Sequence, residues 1–168
     1  MKMTDLFLAE LEREAVPTRR VLERLPEGRP DWKPHEKSMQ LSYLATHVAM
    51  LPSWADTIVN QDELDLDPSD TSNRPRELRT SRELVDALDA NVAKARAALA
   101  NTTDEHLMKP WRFLVTGRLV MEQPRYIVLR DSVLNHLAHH RGQLTVYLRL
   151  NDAPVPSIYG PSADEPNF

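Results

Sequence analysis

The chain contains no cysteine. That excludes disulfides, thiolate metal sites and a thiol nucleophile, and it fits a reducing compartment. Glycine is scarce, at 4 residues against 13 prolines, which points to long regular elements joined by stiff, proline-marked loops. No apolar run approaches the ~18 residues that a membrane span requires. The opening MKMTDLFLAELERE meets acidic residues too early for a secretory apolar region, so the expected location is cytoplasmic. Nor is there a basic excess. The formal net charge is -4, which disfavours a surface built for nucleic acid. A glycine-rich phosphate loop and a recognisable Ser/His/Asp constellation are both missing. The remaining composition, 41% hydrophobic and 27% charged, is that of a globule, expected to form a single domain over residues 1–168.

Helical periodicity dominates the chain. Leu6, Phe7, Leu11, Val21, Leu22 and Leu25 mark a first helix over about residues 4–25, with Thr4 as its N-cap and a kink expected near Pro17. A second is expected over 38–61, capped by Ser38. On it Tyr43, Leu44, Met50, Leu51, Trp54 and Ile58 fall within about a third of a turn of His47. Pro52 predicts a bend one turn beyond that histidine. The polar stretch from Gln61 to Arg79 lacks a period and reads as a long surface connection. Thr80 and Glu83 form a capping-box pattern ahead of a third helix over 81–101. A fourth, over 125–151, follows Pro124 and carries Tyr126, Leu129, Val133, Leu137, Leu144 and Tyr147 on its apolar stripe.

Between the third and fourth helices, WRFLVTGRLVMEQP holds two β-prone runs about Thr116 and Gly117 and suggests a short β-hairpin. Met108 and Trp111 offer the alternative of a cap on the end of the helices. The tail, residues 152–168, has no period and reads as an ordered loop draped over them, with Asp164 and Glu165 solvated. Four long helices and one long crossover predict an all-α four-helix bundle.

Half of the six histidines lie between Leu134 and Leu144. His136 and His140 stand at i and i+4, one turn apart on one helical face, a spacing that suits two ligands of one metal ion. A single histidine on an apolar stripe is ordinarily a core residue holding one hydrogen bond. Two on the same buried face cost desolvation that a shared cation relieves. His47 is the candidate third ligand. His139 is the rival, but it sits toward the edge of the stripe with Ser132 and Gln143, and is assigned to the rim or a partner surface. Gln143 can orient a ligand or make a structural hydrogen bond, and Arg141 is expected to pair on the surface. Trp54 and Tyr147 read as core residues able to line a pocket. Three neutral imidazoles would leave a metal at least one open position. Nitrogen donors suit Zn, Ni, Fe and Cu alike.

Three stretches, SYLATHVAMLPSW, NHLAHHRGQLTVYLR and VPSIYGPSADE, resemble in that order the DinB/YfiT-like superfamily. The likeness runs over nearly the whole chain, and the segment from His136 to Gln143, His-x-x-x-His-Arg-Gly-Gln, is its most specific part. The resemblance implies an up-up-down-down four-helix bundle, often dimeric, with a divalent metal ion on three histidines. By motif these map to His47, His136 and His140. Zn, Ni and Fe are the leading candidates. Relatives of known activity include S-transferases and isomerases that use low-molecular-weight thiols. The implied function is thus a metal-dependent transferase or hydrolase that activates a thiolate or water on a small-molecule substrate. The alternative is a non-catalytic, metal-stabilised stress-response homodimer that binds a partner or small ligand.

Overall fold

Helices account for most of the structure, a computed structural model that describes residues 2–70 and 76–166. α1 (Met3–Leu22) turns Phe7, Leu11, Val21 and Leu22 inward, and Pro17 lies within it. Its first turn is closed from a distance. The Asp104 carboxylate accepts the N–H groups of Met3 and Thr4 at 2.9 and 3.1 Å, an anion against the positive end of the helix dipole. Thr4 is therefore not the cap; it is buried, and Lys2 holds the cap position.

The second helical column is α2 (Leu41–Met50), a 3-10 turn (Leu51–Ser53) and α3 (Trp54–Asn60). Pro52 lies inside the turn, where its missing N–H and its ring disfavour a continuous α-helical ladder. Ser38 does not start this column. The carbonyls of Trp32 and Pro30 take the N–H groups of Leu41 and Ser42 at 2.8 and 2.9 Å, so the preceding loop caps the helix with its own backbone. α4 (Ser81–Ala100) opens with the capping box: Glu83 N–H donates to Thr80 Oγ1 and Thr80 N–H to the Glu83 carboxylate, each at 3.2 Å. The last column is α6 (Arg125–Leu129), a π-helical turn (Arg130–Asn135) and α7 (His136–Leu150). The short α5 (Asp104–Leu107), capped by Thr103, adds a helix that periodicity does not show.

Side-chain pairs establish how the columns run. Glu12 meets Arg96 and Arg19 meets Asp89, so α1 and α4 are antiparallel. Thr46 bonds to Leu78, Asn91 to Ala49, and His106 beyond α4 to Val59, so the second column and α4 run the same way. Arg125 reaches the Ile58 carbonyl and Tyr147 that of Met39, which sets the last column against the second. Glu10 meets Arg130 and Glu14 meets Arg141, so the last column runs with α1. The order is up-down-down-up, correcting the expected up-up-down-down. Parallel neighbours need a connection that returns along their length, and the chain from Gln61 to Thr80 supplies it.

That connection is more than a surface loop. Glu63–Leu66 forms β1, parallel to β2 (Pro110–Val115), and β2 pairs antiparallel with β3 (Arg118–Pro124) in the order β1-β2-β3. The hairpin is present. Thr116 and Gly117 have φ of 50° and 75°, the left-handed pair that a two-residue primed turn requires. The third strand, β1, corrects the expectation of a helical bundle with a hairpin alone. β1 escapes notice because Glu63 and Asp65 weaken its strand character, and it exists only as an edge beside β2. Residues 71–75 of the connection and the last two residues of the tail lie outside the described residues. Among the described residues, no helix is long and apolar enough to cross a membrane.

The tail is pinned to α1 and α7. Asp164 pairs with Arg149, and Glu165 with both Arg20 and Arg24, so neither acid is merely solvated. Arg141 is likewise not a surface residue. It is buried, bonding the Glu14 carboxylate at 2.7 Å, Thr18 Oγ1 at 3.1 Å and the Tyr159 hydroxyl at 2.5 Å. The buried face of α7 centres on Leu137, Leu144 and Leu148, which places Arg141 inside it and the histidines toward its border.

A second buried guanidinium joins the sheet to the helices. Arg125 donates to the carbonyls of Ile58 at 3.0 Å, Pro110 at 2.6 Å and Gln61 at 3.1 Å, and to the Asp62 carboxylate at 2.5 Å. Arg125→Met strips these acceptors of their donor, with an expected loss of about 3 kcal/mol. Urea unfolding should show it as a lower midpoint at unchanged slope; an unchanged midpoint would mean that water replaces the guanidinium.

Candidate metal centre

His47 lies on α2, one turn before the 3-10 turn, and His136 opens α7 directly after the π-helical turn. These two irregular turns pack against each other. A π turn inserts one residue into the ladder and so rotates everything after it by roughly 100° relative to an uninterrupted helix. The phase of His136 and His140 is thus set locally, at the level where the facing column also leaves α-helical geometry. Burial grades across the site. His140 is buried while His47 and His136 are half-buried, and Tyr43, one turn before His47, is 52% exposed. His47 therefore borders the apolar stripe of α2 instead of sitting at its centre, and the site opens toward solvent.

The three side chains converge through Nε2. His136 Nε2 stands 2.9 Å from His140 Nε2 and 3.4 Å from His47 Nε2. Ring centroids lie 4.6 to 5.1 Å apart. The remaining nitrogens on α7 are occupied. His140 Nδ1 donates to Gln143 Oε1 at 2.8 Å, and the His136 ring donates to the Ser132 carbonyl one turn earlier. With both rings neutral and protonated on these far nitrogens, the two Nε2 lone pairs face each other. Two nitrogens at ~2.0–2.1 Å from a tetrahedral ion lie about 3.3 Å apart, so the observed spacing suits a shared cation. One potential ligand atom from each of the three lies within 4.8 Å of the others, and among the described residues no carboxylate belongs to the group.

The electrostatics favour neutral rings. Burial, followed by the repulsion of His140 and His136, lowers the pKa of His47 to about 4. Burial is also the largest cause lowering His136 and His140, opposed in each case by the hydrogen bond just described. Neutral imidazole is the form that binds a metal.

His139 stays outside the cluster. It is exposed, its ring stands edge-on to that of His140 at 4.8 Å, and its Nε2 faces Gln143 Nε2 at 3.0 Å. Tyr147 is a core residue whose hydroxyl donates to the Met39 carbonyl, and Trp54 is half-buried. The Ser132 carbonyl is the contributor that sequence reading misses, since a backbone acceptor in a π turn leaves no side-chain signal.

A helical chain with a small sheet and three histidines converging from two helices defines a class of candidate metal-binding proteins. The sequence profile of the DinB family matches residues 1–167, and the chain belongs to that family. Among solved structures, it is similar to a DinB-like protein from Bacillus subtilis, with 20% identity and a TM-score of 0.67 over 90% of this chain and 96% of that one. It is similar also to a DinB-like protein from Bacillus cereus, with 22% identity and a TM-score of 0.66 over 91% and 95% of the two chains. Both likenesses concern the fold. No curated protein matches the chain.

A histidine whose pKa is lower in the folded than in the unfolded chain stabilises the fold only while neutral. Stability is thus complete above the unfolded value near 6.5 and is lost as pH falls toward about 4, the folded value for His47. The metal-free protein should hold a constant melting temperature above about pH 7 and lose stability from pH 6.5 downward. His47→Gln should flatten that fall. Identical melting curves for both proteins across this window would contradict the lowered pKa.

Proposed function

We propose that His47, His136 and His140 hold one divalent metal ion through their Nε2 atoms, and that the protein is a metal-dependent enzyme acting on a small molecule. The observation that carries this reading is the convergence of three neutral donors whose Nε2 atoms, among the described residues, have no other partner outside the cluster. When bound, the ion would supply a Lewis-acid centre that lowers the pKa of a coordinated thiol or water.

The chain's own residues favour an anionic ligand. All three donors are neutral, so the full charge of the ion is left to whatever reaches it, and a thiolate or another anion gains most. Access is retained. Among the described residues, the tail makes its contacts with charged side chains to Glu14, Arg20, Arg24, Arg141 and Arg149, and none to the three histidines. A site to which the described tail makes no charged contact fits an enzyme better than an ion sealed by the tail in a non-catalytic dimer. Combined with the DinB/YfiT-like resemblance, this supports a low-molecular-weight-thiol S-transferase with Zn, Ni or Fe as the ion. The neutral donors hold the ion, and the half-buried rims of His47 and His136 leave the thiol a path to it.

After reconstitution the wild-type protein should carry about one equivalent of metal per chain by mass spectrometry of the metal, and His140→Ala should lose it. Wild-type protein without stoichiometric metal would defeat the metal assignment. In a screen of low-molecular-weight thiols against electrophiles, turnover should require the metal-loaded protein. Full metal occupancy with no turnover of any thiol would remove the transferase and leave the metal site standing.

A further inference from the structure

We infer that His139 and Gln143 form a positioning pair that decides which nitrogen of His140 carries the proton. This rests on the metal reading above and extends it to two exposed residues that are not in the ligand group.

Gln143 lies three residues after His140 and four after His139, so the three side chains adjoin on one side of α7. Its carbonyl oxygen can only accept. At 2.8 Å from His140 Nδ1 it requires the proton to be on Nδ1, which leaves Nε2 with its lone pair toward His136. An amide is nearly symmetric in shape and opposite in chemistry at its two ends. Rotated by half a turn, Gln143 would present its NH2 to Nδ1, which would then have to accept. The proton would move to Nε2 and remove the lone pair a metal needs.

His139 is tied to the same rotation. Gln143 Nε2 can only donate, and at 3.0 Å it meets His139 Nε2, which accepts with its lone pair. A rotated amide would set its oxygen there and oblige both histidines to carry their protons on Nε2. In the observed orientation the chain of hydrogen bonds runs from His140 Nδ1–H to the Gln143 oxygen and from the Gln143 NH2 to His139. Hydrogen-bond partners of this kind around a ligand fix ring orientation and tautomer. Both residues are exposed, so neither is needed for the core.

The test is a double-mutant cycle read as Zn2+ affinity by competition with a chromophoric chelator, with the visible spectrum of the Co2+-loaded protein beside it. Gln143→Ala should weaken Zn2+ binding by ~10-fold or more with an unchanged melting temperature of the metal-free protein. Gln143→Glu should restore it, because either carboxylate oxygen accepts from Nδ1. His139→Ala should weaken binding several-fold in the wild-type background and leave it unchanged in the Gln143→Glu background, where no wrong orientation exists to be excluded. Gln143→Ala binding Zn2+ as the wild type does, or an equal cost of His139→Ala in both backgrounds, would overturn the inference. Wild-type protein that fails to bind Zn2+ would instead overturn the metal reading, and this inference with it.

Discussion

The Nε2 atoms of His136 and His140 stand 2.9 Å apart, and with both lone pairs facing, that separation is favourable only when a cation lies between them. His136 and His140 are held in that relation by hydrogen bonds on their far sides, to Ser132 and to Gln143. A proton is the weaker candidate, because burial lowers the pKa of all three histidines. On the proposed reading a divalent cation would meet the requirement, and His47 would complete its donor set from the facing helix. The remaining architecture can be understood by how it maintains this arrangement.

Neither histidine-bearing helix is regular at the site. The 3-10 turn around Pro52 and the π turn before His136 abut, so two departures from α-helical geometry meet at one level. Buried guanidinium groups hold the column on either side of it. Arg125 ties the start of that column to the end of α3 and to β2, while Arg141 ties it to α1 and the tail beyond the histidines. Each arginine satisfies several buried acceptors, which makes the placement of α7 costly to change. The long return between the second column and α4 lets these two run parallel, and it contributes the strand that widens the sheet.

Much of this is legible in the chain, and the failures have identifiable causes. The i, i+4 histidine pair, the Thr80 capping box, the disturbance at Pro52 and the Thr116–Gly117 turn each carry a local chemical signature, and each is present. Ser38 and Thr4 mislead because distant groups perform the capping: the carbonyls of Trp32 and Pro30 in one case, the Asp104 carboxylate in the other. Arg141 misleads because a charged residue beside the histidine pair reads as exposed, whereas the buried face of α7 centres on Leu137, Leu144 and Leu148 and takes Arg141 in. β1 and the direction of the columns depend on contacts far apart in sequence, which periodicity cannot register. The grouping of His47 with the other two histidines combines a local motif with such a long-range contact.

X-ray absorption at the metal edge of the loaded protein tests the central claim most directly. A three-histidine site gives a shell containing three imidazole nitrogens at about 2.0–2.1 Å, reduced to two by His47→Gln. A shell with fewer than three imidazoles in the wild-type protein, or one dominated by carboxylate oxygens, would contradict it.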